Sequence, residues 1–358
     1  MSTVAVPACF CHAIKVLSID RCGGRWVSGC TGFWRIRAGA GRAGEVTLTG
    51  AGATFPSTLY AKWFEAYHEV DPSVRFAYDA NGSGAGQREI IDRTVDFGAS
   101  DQPMSEEALA QAPGRILHLP TVAGAVVVSY NLPGVGALRF DGPTLADIFQ
   151  GKIVTWNDPE IARQNPGVKL PEMDIVVVHR SDASGTSYIF TDYLSAVSPD
   201  WQAHVGKDAT LNWPVGLGGR GNEGVVVKLR ETPGSIGYLE LTYALQNQTA
   251  YAEIRNRDHY YTKASLESIT AALTTATIPD DFRFSMVNAP GKDVYPIAGA
   301  TWLLIYDTQR DPVRGEKLVA FLKWTETEGQ KMAAALSFAP LPGNVRDRVL
   351  NVIGTLKP

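Results

Sequence analysis

The chain has 358 residues, of which 45% are hydrophobic and 20% charged. That length suits two domains and that composition suits an ordinary globular protein, and no run approaches the roughly 18 uninterrupted apolar residues of a membrane span. The formal net charge of −4 is uneven: residues 1–44 carry Lys15, Arg21, Arg25, Arg35, Arg37 and Arg42 against Asp20, a local +5 that leaves −9 for the remainder. An acidic body argues against nucleic acid as a partner and leaves any anion to be captured by local groups.

The four cysteines, Cys9, Cys11, Cys22 and Cys30, all precede the body, in spacings that match no paired C-x-x-C zinc pattern. The thiol-free remainder has no disulfide framework and suits an oxidising compartment. Val4–Ile14 is mildly apolar, but it holds Pro7 and His12, and its basic residues follow instead of preceding it. Val27-Ser-Gly-Cys30 resembles a lipoprotein cleavage box without the apolar run that such a box needs. Residues 1–44 are therefore expected to lie outside the fold, as an export signal lost to a mis-called start or as a poorly ordered extension. A lipid anchor at Cys30 stays open.

From Val46 the texture changes. Val46–Thr49 reads as a short strand ending in Gly50-Ala-Gly-Ala-Thr-Phe-Pro56. Ser57–Val70 reads as a helix, with Leu59, Trp63, Phe64 and Tyr67 at helical spacing. Val74–Tyr78 is strand-like, Asn81–Gly86 is a glycine loop, and the helix after it turns Ile90, Ile91 and Val95 inward. Val95–Ser100 reads as a strand, and Ser105-Glu-Glu opens a helix as an N-cap with first-turn acids. Ala123–Tyr130, Ile175–His179, Ser235–Leu239 and Trp302–Tyr306 are further strands. Leu145–Phe149, Ser187–Val197 and an amphipathic stretch from Pro312 to Leu336 are helical. Such alternation predicts an α/β fold.

Three loops of small residues open helices: Gly52-Ala-Thr54-Phe55, Gly82-Ser83-Gly84 and Ser184-Gly185-Thr186. A helix start exposes unpaired N–H groups and a partial positive charge, glycine permits close approach, and hydroxyls add donors, which together suit an anion. Ordinary helix capping explains most such residues taken one segment at a time; three in one chain are more suggestive, but spacing alone does not bring them together.

The body resembles the phosphate-binding receptors of bacterial phosphate ABC transporters from about Val46 onward. The stretches that carry the likeness are LTGAGATFP (48–56), YAKW (60–63), VDFGASDQPMS (95–105), DIFQGKIVTWND (147–158), HRSDASGTSYIFTDYL (179–194), WPVGLGGRGNEGV (213–225) and GSIGYLE (234–240). The resemblance implies an α/β, two-lobed periplasmic binding protein fold of type II with the ligand in the cleft. Residues 45–125 plus 294–358 would form one lobe and 126–293 the other. It also implies that phosphate meets Thr54, Phe55, Ser83, Asp101, Arg180, Ser184, Gly185 and Thr186, with Asp182 behind them. The expected partners are inorganic phosphate and the permease subunits with their ATPase; the expected state is a monomer in the periplasm, with no cofactor or metal.

The residue types fit those implied roles. Arg180 offers a planar donor fork for two oxygens, and Asp182 could hold that guanidinium or simply serve a turn. Asp101 beside an anion suits hydrogen phosphate, which still has a proton to donate, and repels sulfate, which has none.

Gly219-Arg-Gly-Asn-Glu-Gly224 matches G-x-G-x-x-G, with Glu240 at the distance of a ribose contact. However, Pro214 weakens a preceding strand, so a dinucleotide site is not expected. His179 should face away from Arg180. Two other functions compete with a transport receptor. One is a phosphatase or phosphoryl-transfer enzyme using the same pocket, although Ser83 and Ser184 have no evident base. The other is an envelope phosphate scavenger without a permease.

Overall fold

Parallel strand–helix units flank a pair of antiparallel strands. The structure, a computed structural model, describes residues 44–358, so the expectations for residues 1–43 lie outside the described residues. The main sheet runs in the order Val74–Asp79, Val46–Gly52, Phe97–Ser100, Ala298–Tyr306, Ile116–Tyr130, Ser235–Glu240, Val176–Arg180, Leu217–Gly219. Val46–Gly52 is parallel to both of its neighbours, and Val176–Arg180 is parallel to both of its own. Between these groups stand the two antiparallel central strands.

Ile116–Tyr130 serves two sheets in turn. Up to Ala125 it pairs with Ala298–Tyr306, and from Val126 it pairs with Ser235–Glu240. One strand is thus shared by two parallel layers, giving a two-lobed fold. Both central strands are almost wholly buried, which explains why they read as continuous apolar runs.

Each lobe has its own aromatic core. Phe64, Phe76 and Phe321 pack at centroid distances of 4.4 and 4.5 Å in the first. Phe149, Phe190 and Tyr238 pack at 4.8 and 4.4 Å in the second. Burying rings of this size contributes on the order of 2 kcal/mol each, before the geometric preference of the pairs is counted.

Helix Ser57–Val70 has the expected bounds, and the Ser105 hydroxyl caps the separate helix Glu106–Ala110 by accepting the Ala108 N–H. The stretch from Pro312 to Leu336 is helical but not uniform. A π-helical turn occupies Thr325–Gly329, where the Trp63 indole N–H donates to the Gly329 carbonyl at 2.8 Å. A carbonyl drawn aside by a buried indole fits a local break in the helical ladder.

Candidate functional site

The parallel strands end at one place. Gly52 closes the first strand and leads to Thr54, Asp101 directly follows Phe97–Ser100, and Ser184 lies just past Val176–Arg180. Crevices at the carboxyl ends of parallel strands are where open α/β sheets bind ligands. The helices that follow, Ser57–Val70, Ser83–Ile91 and Gly185–Val197, aim their starts into that crevice.

The three loops do meet. Ser83 Oγ accepts the backbone N–H groups of Asp101 and Gly185, each at 3.1 Å. Gly84 N–H donates to the Ala183 carbonyl at 3.0 Å. Thr54, Phe55, Ser83, Asp101, Arg180, Ser184, Gly185 and Thr186 are all buried. Among the described residues, the backbone N–H groups of Thr54, Phe55 and Thr186 have no protein partner. The Ser184 hydroxyl is already in use, accepting the Ser187 N–H at 3.1 Å as a helix cap. Gly185 is required by contact: a Cβ there would lie 2.4 Å from Ser83 Oγ and 2.6 Å from Asp101 Cβ.

Arg180 is 3% exposed, a position that an unpaired charge could not hold. Its Nε donates to Asp182 Oδ1 at 2.8 Å, its Nη2 pairs with Asp182 Oδ2, and its Nη1 donates to Thr186 Oγ1 at 3.3 Å. Burial works against the ionised Asp182, but the Arg180 guanidinium together with backbone N–H donors, Gly221 among them, outweighs it and holds the carboxyl below its ordinary range. Tyr238 ties the arginine to the core: its hydroxyl accepts the Arg180 backbone N–H at 3.1 Å and meets Ser187 Oγ at 2.6 Å, while its ring stacks on Phe190. His179 turns to the other face, as the strand's alternation predicts, and stacks on Trp213 at 5.0 Å.

Asp101 is 1% exposed and, among the described residues, has no arginine in direct contact. Thr301 donates to its Oδ1 at 2.7 Å, and Ser83 Oγ stands 3.4 Å from its Oδ2. Burial pushes its carboxyl up to about 7, against the pull of Thr301, Arg180 and Ser83. The group therefore titrates in the physiological range.

Two residues that the sequence does not single out also face the site. Asn222 Nδ2 donates to Thr54 Oγ1 at 2.8 Å and to Thr186 Oγ1 at 3.3 Å. The Tyr243 hydroxyl contacts the Thr54 carbonyl at 2.8 Å and Ser57 Oγ at 2.7 Å. The signal for Asn222 was its place in the glycine run. A short edge strand, Leu217–Gly219, does lead into that run, although two glycines among its three residues carry no strand signature. Glu240 is buried and caps the next helix, accepting the Thr242 N–H at 2.8 Å.

Comparison with known proteins places these features in a wider set. A family model described as a PBP superfamily domain matches residues 38–328. The phosphate-binding protein PstS of Pasteurella multocida strain Pm70 is 41% identical over 307 residues, covering 85% of this chain and 88% of that protein. The phosphate-binding protein PstS of Methanocaldococcus jannaschii is 36% identical over 374 residues, covering 97% of this chain and 94% of that protein. Among solved structures, a high-affinity periplasmic phosphate-binding protein (PfluDING) with bound phosphate superposes with a TM-score of 0.70 at 20% identity. It covers 87% of this chain and 99% of its own, a likeness of fold.

Proposed function

Because this chain belongs to the PBP superfamily, and within it to the PstS phosphate-binding proteins, we propose that it binds inorganic phosphate reversibly for ABC-type import. The observation that carries this reading is the convergence of three helix starts on one buried arginine and one buried aspartate.

Phosphate is held by the N–H groups of Thr54, Phe55 and Thr186, the hydroxyls of Thr54, Ser83 and Ser184, and the Arg180 fork, while Gly185, whose N–H is given to Ser83 Oγ, lets the helix start come close. The Asp101 carboxylate accepts a hydrogen bond from the proton that hydrogen phosphate still carries. Partial positive charge at helix starts suits the anion, and a planar guanidinium can meet two of its oxygens. Asp182 keeps the guanidinium oriented from behind.

Binding is by closure of two lobes, residues 45–125 with 294–358 against residues 126–293. The change of strand partner between Ala125 and Val126 supports that division. The loaded protein acts in the periplasm as a monomer and hands phosphate to permease subunits driven by their ATPase. It performs no chemistry. In support, the Ser184 hydroxyl is held as a helix cap and Ser83 Oγ accepts two backbone N–H groups.

Calorimetry with inorganic phosphate and with sulfate tests the reading. Tight uptake of phosphate with sulfate excluded is the expected result, and absence of phosphate binding overturns it.

A further inference from the structure

On the reading that this cleft binds phosphate, we propose that Asn222 is a positioning residue that fixes the direction of the Thr54 and Thr186 hydroxyls. The glycine run around it is the device that delivers its amide to the site.

The amide has one possible orientation. Asn222 is fully buried, and its Oδ1 accepts the backbone N–H of Glu240 at 3.0 Å. A buried N–H needs an acceptor, so the oxygen faces the strand and the nitrogen faces the two threonines.

That nitrogen then determines what the hydroxyls can do. A threonine hydroxyl has one hydrogen and two lone pairs. At Thr186, Asn222 Nδ2 and Arg180 Nη1 each donate to Oγ1 at 3.3 Å, so both lone pairs are engaged and only the hydrogen is left. At Thr54, Asn222 Nδ2 donates to Oγ1 at 2.8 Å, which engages one of its two lone pairs and turns the hydroxyl hydrogen away from the amide. A site for a doubly charged oxyanion requires donors, since lone pairs facing it would repel it.

The contact also spans the cleft. Thr54 follows the first strand and Thr186 opens the helix Gly185–Val197 in the opposite lobe, so one nitrogen reaches both only when the lobes are together.

The loop is registered on the arginine. Gly221 has φ of +69°, a left-handed conformation suited to glycine. Its N–H donates to Asp182 Oδ1 at 3.0 Å, the same oxygen that receives Arg180 Nε. Gly219 and Gly224 lie so close that a Cβ on Gly219 would be 2.7 Å from the Gly224 backbone.

The test is calorimetry of inorganic phosphate binding to the full chain and to Asn222→Ala and Asn222→Asp, each expressed relative to wild type at every pH from about 5 to about 8. Asn222→Ala should lose affinity about 10-fold with little pH dependence. Asn222→Asp should lose about 100-fold or more at the upper end. Its ionised carboxylate draws the hydroxyl hydrogens away from the anion and adds repulsion. On acidification the carboxyl becomes neutral and regains a donor, so its relative affinity should recover about 10-fold. A purely structural role for Asn222 would give two variants with the same loss at all pH values, and that result, or wild-type affinity in both, overturns the proposal. If Asn222→Asp does not fold, a cycle of Asn222→Ala with Thr54→Val replaces it. Non-additive losses support action through the hydroxyl, and additive losses overturn it. A wild-type chain that binds no phosphate overturns the phosphate reading as well, whereas insensitive variants of a binding-competent chain overturn only this one.

Discussion

Ser83 Oγ accepts the backbone N–H of Gly185 at 3.1 Å, joining the first residues of two helices across the cleft. Gly185 cannot grow without pushing against Ser83 and Asp101. In Gly185→Ala the new Cβ would lie 2.4 Å from Ser83 Oγ. Alanine is a good helix residue, so thermal stability of the free protein should change little. Phosphate affinity should fall about 100-fold, because the variant cannot complete closure. Titration of Gly185→Ala that gives wild-type affinity would remove closure from the mechanism.

In the proposed phosphate site Asp101 is the group that selects the anion. Its carboxyl, pushed up to about 7 by burial, is ionised above that value; on the proposed reading it then repels sulfate while accepting a hydrogen bond from hydrogen phosphate. Below it, the group is protonated and can donate, so sulfate competition should strengthen by up to about 10-fold per pH unit as pH falls. In Asp101→Asn sulfate should compete at every pH. Competition calorimetry with sulfate that is flat with pH in the wild type would contradict this.

The same group predicts a stability trend. A carboxyl with a raised folded pKa binds more protons in the native state, so its contribution is fully present below its ordinary value of 3.8 and is lost as pH rises toward about 7. Stability of the ligand-free wild type relative to Asp101→Asn should therefore fall across that window, by up to about 1.4 kcal/mol per pH unit. Denaturant unfolding at several pH values measures the difference, and a constant offset would count against the buried, titrating carboxyl.

Arg180→Lys should retain charge but lose the fork. Arg180 spends Nε and Nη2 on Asp182 and directs Nη1 to Thr186, and a single ammonium cannot serve both directions. Phosphate affinity should drop about 100-fold, and a lysine variant that binds as tightly as wild type would show that only the charge matters.

Tyr238→Phe tests the link from core to site. The ring would keep its stack on Phe190 at 4.4 Å, while the Arg180 backbone N–H loses its acceptor. The expected cost is about 1–3 kcal/mol of stability, the penalty for an unsatisfied buried donor, read by urea unfolding. A variant as stable as wild type would mean that Arg180 is positioned by Asp182 alone.

Much of the fold is legible in the sequence. Helix Ser57–Val70 is plain because its apolar residues share one face, and the buried strands are plain because both faces are covered. Arg139–Phe140 and Tyr261–Thr262 are not, because two residues are too few to show a period, and tertiary contact alone makes them strands. The π-helical turn at Thr325–Gly329 is likewise invisible without Trp63, which lies far away in the chain.

The site divides along the same line. Helix starts rich in glycine and hydroxyls are local features, since capping and the N-terminal charge of a helix depend on a few consecutive residues; the sequence by itself therefore determined that Thr54, Ser83 and Ser184 stand at anion-suited positions, and the likeness of its motifs pointed to phosphate. Whether those starts converge, whether Asp101 is dry enough to titrate near neutrality, and whether an amide from a glycine run reaches two threonine hydroxyls were decided only by the tertiary structure. Desolvation and hydrogen-bond direction are properties of the surroundings, and here those surroundings come from segments brought together by a strand that belongs to both lobes.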